Sequence, residues 1–344
     1  MTQRIRTALV GYGHGGQLQF APHLATSPDY ELTTVVTGDP VKANAVHRLS
    51  PATRVVATVE EIWDQPHDLV AVSTPHITHV AIAREAIARG VSVLVDKPMA
   101  VNSTAARELV EEAASAGVLL ESFQNRRWDG DFMTLQGLLA SGELGDVRVF
   151  ESRFSWWDPV PAATWKASAT VSEGGGALFD MGPHLLDQAI LLFGPIESWY
   201  AELDSWRPAS GADDDVVIML SHRSGVRSRL WTSCVDRDFG PRFRVVGSRA
   251  SYTLAGLDPQ ERQAENGMTA ADPGFGIDNS RVGRLVGEGC ERAVPTLRGE
   301  HGRLFAGLAV SIREGAPLPV PLEDSLQVLE IIDAIHAATV IRGH

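Results

Sequence analysis

The stretch 8-ALVGYGHGGQLQ-19 places four glycines within six positions, directly behind an apolar run. Ile5, Ala8, Leu9 and Val10 read as a buried strand, and the segment from Gln17 to Leu24 reads as the start of a helix. Gly11, Gly13 and Gly16 then satisfy G-x-G-x-x-G, with Tyr12 inside the turn and Gly15 as a fourth glycine. Glycine lets the backbone reverse sharply and lets a pyrophosphate come close, while the unpaired N–H groups of the helix start face the phosphates. A glycine turn also exists without any ligand, so the motif gains meaning only from what surrounds it.

The surroundings supply a rhythm. Leu32–Thr37, Val55–Ala57, Leu69–Ser73, Val91–Val95 and the segment beginning at Val118 read as further strands. Helical stretches lie between them at Val41–Leu49, His76–Arg89 and Ser103–Ala116. Ser103 is a plausible cap for the last of these, and Gly90 and Gly117 are plausible stops. Strands alternating with helices predict βαβ units, hence a doubly wound parallel sheet in an α/β domain over residues 1–122, with the glycine turn in its first connection. From residue 123 the pattern changes. Val147–Phe154, Ile196–Leu203, Val216–Ser221, Val226–Trp231, Phe243–Gly247 and Ser251–Leu254 follow one another as strands, with Ser224-Gly225 as a hairpin turn. This predicts a second, α+β domain over 123–344 with an open, mostly antiparallel sheet. Residues 256–280 read as a loop, and Leu322–Ile341 as a closing helix.

Composition restricts the partners. The chain has 344 residues, 44% of them hydrophobic, and a formal net charge of −13. That balance argues against broad binding to nucleic acid or to an anionic membrane, so a phosphate site must be built locally. No apolar run approaches the ~20 residues needed to span a bilayer, and Met1–Arg6 is polar. Cys234 and Cys290 form neither a C-x-x-C nor a zinc pattern, which favours a reducing, cytoplasmic setting.

Three further stretches carry chemistry. In an open parallel sheet, ligands bind beyond the carboxyl ends of the strands, which puts Ser73, Thr74, Pro75 and His79 of 73-STPHITH-79 near a cofactor. Capping of the next helix is the alternative use of Thr74 and Pro75. In 94-LVDKPMA-100, Lys97 ends a buried strand and is fixed by Pro98. Partial burial would make its amine useful for acid–base or polarising work. In 173-EGGGALFDMGPHLLDQ-188, Pro183 suits the first turn of a helix and puts His184 near its start, four residues after Asp180. An acid beside a histidine holds its tautomer and stabilises its cation. No third ligand at a recognisable spacing points to a metal.

Taken in order, Gly11–Gly16, Thr74-Pro75 with His79, Asp96-Lys97-Pro98 and Gly174-Gly175-Gly176…Asp180-x-Gly182-x-His184 resemble the Gfo/Idh/MocA oxidoreductases over nearly the whole chain. The stretch 124-QNRRWDGDF-132, with Trp165 and Phe179–His184, is similar to the branch holding scyllo-inositol dehydrogenases. The resemblance implies an N-terminal Rossmann domain, NAD or NADP as cofactor, and a sugar or cyclitol as substrate. It implies that Lys97 lies between substrate hydroxyl and nicotinamide, and that Asp180 and His184 are catalytic. It extends cofactor binding to Tyr12, Asn125 and Trp165, and makes Arg126, Trp128 and Trp165 candidates for the polyol pocket. Asp96 stands where glutamate is usual, which leaves the positioning of Lys97 open. Dimers or tetramers are the implied assemblies.

The cofactor is divided between two readings. An acid ending the second strand would accept the 2′-hydroxyl of NAD, but here Asp39 comes late. Thr37 and Lys42 suit a 2′-phosphate, which favours NADP. Rival functions are a dihydrodiol or aldose dehydrogenase on the same scaffold, and a catalytically silent dinucleotide-binding sensor.

Overall fold

The computed structural model describes residues 3–160, 165–208 and 211–343, the side chain of Ala167 excepted. Met1 and Thr2 of the polar N-terminal stretch lie outside the described residues. The chain forms two compact units. The first comprises Met1–Asn125, Gln260–Phe275 and His301–Leu326, and the second Arg126–Pro259, Gly276–Glu300 and Gln327–His344.

In the first unit the order is β1 (Ile5–Val10), α1 (Ala21–Thr26), β2 (Tyr30–Val36), α2 (Pro40–Leu49), β3 (Arg54–Val56), β4 (Leu69–Val72), α3 (His79–Ala88), β5 (Ser92–Asp96), α4 (Ser103–Ala116) and β6 (Leu120–Phe123). The six strands form one parallel sheet in the order β3-β2-β1-β4-β5-β6. Every residue of β4 and β6 is buried, the pattern of a parallel sheet covered on both faces. The chain runs outward from β1 to β3, then returns to lay β4 beside β1. That reversal makes the switch point at which such sheets bind ligands.

Local chemistry sets the helix ends. Asp39 caps α2 by accepting the N–H groups of Val41 and Lys42 at 2.8 and 3.4 Å. Asn102, rather than Ser103, caps α4, its Oδ1 accepting the Ala105 N–H at 2.8 Å. Either residue type suits a cap, and the earlier one takes the position because its extended backbone leads into the first turn. Gly117, in the left-handed region at φ +67°, ends the helix as anticipated.

The second unit holds α5 (Gly130–Ala140), β7 (Val147–Ser155), α6 (Trp165–Ser168), α7 (Ala177–Asp180), α8 (Gly182–Phe193), β8 (Ile196–Ser205), β9 (Asp215–His222), β10 (Arg227–Ser233), β11 (Pro241–Gly247) and β12 (Ala250–Ala255). The loop read over 256–280 instead contains α9 (Gln260–Glu265), which belongs to the first unit. β13 (Val282–Gly287) and β14 (Cys290–Pro295) extend the second sheet. α10 (Gly302–Glu314) joins the first unit, and α11 (Leu322–Ala338) starts in the first and ends in the second. The closing helix therefore stops short of Ile341, which begins β15 (Ile341–Gly343). The nine-stranded sheet runs β14-β13-β12-β11-β7-β10-β9-β8-β15. Only β7/β10 and β8/β15 pair in parallel, so it is mixed and mostly antiparallel, as predicted. Among the described residues no helix is long and apolar enough to cross a membrane.

An aromatic cluster explains why α10 belongs with the first unit. The Phe305 ring stacks on His23 at 5.0 Å and meets Phe20, Phe123 and Tyr30 at 6.3, 5.6 and 6.2 Å. The Tyr30 hydroxyl donates to the Phe305 carbonyl at 2.6 Å. Burial, with the neighbouring His301 charge adding to it, lowers the His23 pKa to about 3. His23 is thus neutral in the folded protein, while the unfolded chain takes up a proton below about pH 6.5. Stability from this residue is complete above that pH and falls by up to about 1.4 kcal/mol per unit as pH drops toward 3. Burial lowers His67 and His79 in the same direction. Urea melts between pH 7 and 5 should show this decline, and His23→Phe should make it shallower; an unchanged slope in the variant would refute the assignment.

Candidate functional site

At the carboxyl edge of the first sheet, the glycines differ in what limits them. Gly11 has φ +98°, and a Cβ there would strike the Ser73 carbonyl oxygen at the end of β4. A Cβ on Gly16 would strike the Gly11 carbonyl oxygen, and one on Gly15 would stand 2.8 Å from Ser73 Oγ and 3.1 Å from Asp96 Oδ2. Gly13 alone of the four faces open space, with nothing within 4 Å. Two glycines, Gly11 and Gly15, are therefore spent on packing the turn against the ends of β4 and β5, Gly16 on packing it against itself, and Gly13 leaves a bare backbone facing outward. That is the cradle a pyrophosphate requires, so the residues present fit a dinucleotide. Tyr12 within the turn is buried, which raises its phenol pKa against the pull of Arg48.

The neighbouring strand ends are tied to this turn. Ser73 Oγ donates to Asp96 Oδ2 at 3.2 Å, and the Lys97 N–H donates to Asp96 Oδ1 at 2.8 Å. Asp96 thus joins β4 to β5 and fixes the backbone of Lys97, whose peptide bond to Pro98 is cis. His79 is wholly buried, its Nδ1 2.9 Å from the Pro98 carbonyl and its Nε2 2.9 Å from the Thr74 carbonyl. Burial lowers its pKa, opposed by the Asp96 charge and by those two carbonyls. His79 offers no surface to a ligand; it braces the loops that carry Thr74 and Lys97. Thr74 receives the Thr78 hydroxyl at 2.7 Å, and Pro75 leads into the single turn His76–Thr78. Thr37 and Lys42 flank the exposed Gly38–Pro40 corner after β2. Asn125 closes the unit, its amide 3.2 Å from Gln19 Oε1 and 3.3 Å from His301 Nδ1.

The second unit carries the other chemical residues on α7 and α8. Asp180 ends α7, Pro183 lies in the first turn of α8, and His184 follows it, buried. The Asp180 carboxylate receives Lys166 Nζ at 2.7 and 2.8 Å on its two oxygens. Lys166 was not anticipated. It lies 14 residues upstream, and no local spacing advertises the pair. Trp165 begins the same short helix, α6.

The stretch containing Arg126 and Trp128 does something other than simply line a pocket. Asp187 and Gln188 lie three and four residues after His184, on one face of α8. Asp187 accepts a bidentate contact from Arg127 at 2.8 and 2.6 Å, with both side chains buried. Gln188 donates to the Arg126 carbonyl at 3.0 Å and accepts from Arg242 Nη2 at 2.8 Å. Arg242 also donates to Ser152 Oγ on β7 at 2.6 Å, and burial lowers its pKa to about 10. Arg126 is itself buried, its guanidinium 4.5 Å above the Phe154 ring. Trp128 keeps partial exposure, and its carbonyl accepts the Glu300 N–H at 2.8 Å.

Residues 5–123 match the family model described as the oxidoreductase family, NAD-binding Rossmann fold, and residues 132–253 match that of the GFO/IDH/MocA C-terminal domain. The chain is 36% identical to the uncharacterised oxidoreductase YdgJ of Escherichia coli, covering 98% of this chain and 99% of that one. It is 30% identical to the scyllo-inositol 2-dehydrogenase (NADP(+)) IolW of Bacillus subtilis, covering 96% and 92%. A solved structure from Yersinia pestis, provisionally named an oxidoreductase, superposes with a TM-score of 0.89 at 36% identity, covering 98% and 95%.

Gly16→Ala should lower the melting temperature, because its methyl group has no room beside the Gly11 carbonyl. Gly13→Ala should melt near the parent yet bind dinucleotide at least tenfold more weakly, about 1.4 kcal/mol, because it fills the cradle. Calorimetry and nicotinamide fluorescence titration would check both, and equal melting of the two variants would contradict the division of roles.

Proposed function

We propose that this chain, a member of the GFO/IDH/MocA oxidoreductase family, transfers a hydride between a nicotinamide cofactor and a carbinol carbon of a sugar or cyclitol, with an inositol-like polyol as the favoured class. Family membership makes it an NAD(P)-dependent dehydrogenase. The observation that carries the substrate class is the end-to-end likeness to a scyllo-inositol 2-dehydrogenase. We assign dinucleotide binding to residues 1–122 and substrate binding and subunit pairing to residues 123–344. Gly11, Tyr12, Gly13, Gly15, Gly16, Ser73, Thr74, Pro75, Asp96, Pro98, Asn125 and Trp165 are assigned to the cofactor, with His79 bracing from behind.

NADP is the cofactor we favour. The Asp39 carboxylate is engaged by two N–H groups of α2, so it is a poor acceptor for a ribose hydroxyl. Thr37 and Lys42 at the same corner offer a donor and a cation to a 2′-phosphate.

When bound, the nicotinamide supplies the hydride acceptor or donor. The protein manages the hydroxyl proton and the charge on oxygen. His184 takes the proton during alcohol oxidation, and Lys97 polarises the oxygen as negative charge develops. Asp180, held by Lys166, orients the imidazole or a substrate hydroxyl. Arg126, Trp128 and Trp165 belong to the polyol side.

A second copy is assigned to the uncovered face of the nine-stranded sheet. There Tyr200, Met219, Arg229, Glu151 and Arg244 lie in register across β8, β9, β10, β7 and β11. Tyr200 and Met219 are 55% and 43% exposed, and an open sheet face of this width favours cover. Met219→Asp should shift the light-scattering mass from dimer or tetramer toward monomer; an unchanged mass would exclude this face.

A panel of polyols and aldoses, each tried with both cofactors and followed by reduced-nicotinamide absorbance, tests the activity. Lys97→Ala should cut turnover by about 10²-fold or more while leaving cofactor affinity near that of the parent. Near-normal turnover would remove Lys97 from the chemistry, and tighter binding of NAD than of NADP would overturn the cofactor preference.

A further inference from the structure

We propose that Asp213 and His336 form a buried positioning pair that holds α7, and with it Asp180, in working geometry. The proposal rests on the assignment of Asp180 and His184 given above. Asp213 is 2% exposed and grips the start of α7 twice. Its Oδ1 accepts the Leu178 N–H at 2.8 Å, and its carbonyl oxygen accepts the Ala177 N–H at 2.9 Å. These are two of the amides that a helix start leaves without partners. Gly176, at φ +104°, makes room for the same carboxylate, because a Cβ there would collide with Asp213 Oδ2.

The remaining carboxylate oxygen, Oδ2, has no hydrogen-bond partner among the described residues. Facing it at 3.8 Å is His336 Nε2 of α11, shielded from solvent and likewise without a hydrogen-bond partner. The separation leaves no room for a water between the two atoms, and a shift of under 1 Å brings them to bonding distance. The His336 ring stacks on Phe179, the residue before Asp180, at 5.0 Å and 27°. His336 therefore touches α7 through a ring and faces its anchoring carboxylate through a nitrogen. A buried carboxylate oxygen is costly without a donor, so an imidazole N–H that closes this gap satisfies Asp213 and fixes where it holds the helix.

Neither residue touches the reacting groups; both act through the backbone of α7. An active-site residue displaced by ~1 Å can cost ~10²-fold in rate, so loosening this anchor should appear in turnover.

The test uses the full chain with His336→Phe, which keeps the stacking on Phe179 and removes the nitrogen, and His336→Gln, which restores a donor. Hydrogen exchange at Ala177 and Leu178 should rise at least tenfold in His336→Phe, with kcat falling about tenfold or more. Cofactor affinity should stay near parental, while the melting temperature should fall modestly, as a buried acceptor that loses its donor requires. His336→Gln should recover most of both losses. Parental exchange and kcat in His336→Phe would overturn the pair, as would raised exchange with unchanged kcat, or equal losses in the Phe and Gln variants. Asp180→Asn run alongside separates the two readings: if it keeps full turnover the catalytic assignment fails, while the exchange data still judge the contact.

Discussion

The nucleotide-facing edge depends on one backbone contact, the approach of Gly11 to the carbonyl of Ser73. β1 and β4 are neighbours only because the chain returns to the middle of the sheet after β3. Their ends must then pass each other with no side chain between them, and Gly11 supplies both the missing Cβ and the positive φ. Gly16 repeats the requirement one layer up, against Gly11 itself. With the turn pressed onto β4, Ser73 reaches Asp96 and Asp96 reaches the backbone of Lys97. A residue with a side chain at position 11 would displace the whole series.

What the sequence disclosed and what it hid divide along the range of the interactions. The βαβ alternation, the glycine turn and the stops at Gly90 and Gly117 depend on neighbours a few residues apart, and all were readable. Asn102 takes the cap expected of Ser103, because the two are chemically equal candidates and only backbone direction separates them. α9 was hidden in a polar segment with no long apolar face, and β13 and β14 lacked strong alternation: β14 buries only Val294. The place of Phe305 beside His23 and Tyr30, and of Lys166 on Asp180, had no local signal at all. The first spans 275 residues at Tyr30 and Phe305, and such pairings exist only once the chain is folded.

α8 shows a different economy. It carries His184 at its start and is fixed by a buried ion pair, Arg127 with Asp187, and by a hydrogen bond from the buried Arg242 guanidinium to the neutral Gln188 amide. A buried ion pair contributes little net stability, because desolvation offsets the attraction. What it does set is direction: a bidentate guanidinium–carboxylate contact tolerates little rotation. An apolar face would hold α8 as firmly but would let it slide, and the proton-transfer role proposed for His184 demands placement to within an ångström.

Asp96 raises an apparent contradiction, since a carboxylate 3.1 Å from where a Cβ of Gly15 would stand is a negative charge beside a proposed phosphate cradle. The hydrogen bonds answer it. Both of its oxygens are taken, one by the N–H of Lys97 and one by the hydroxyl of Ser73, so its field is spent on dipoles behind the turn. Asp96 thus spends its charge on bracing the two strand ends, and it fixes Lys97 through the backbone N–H.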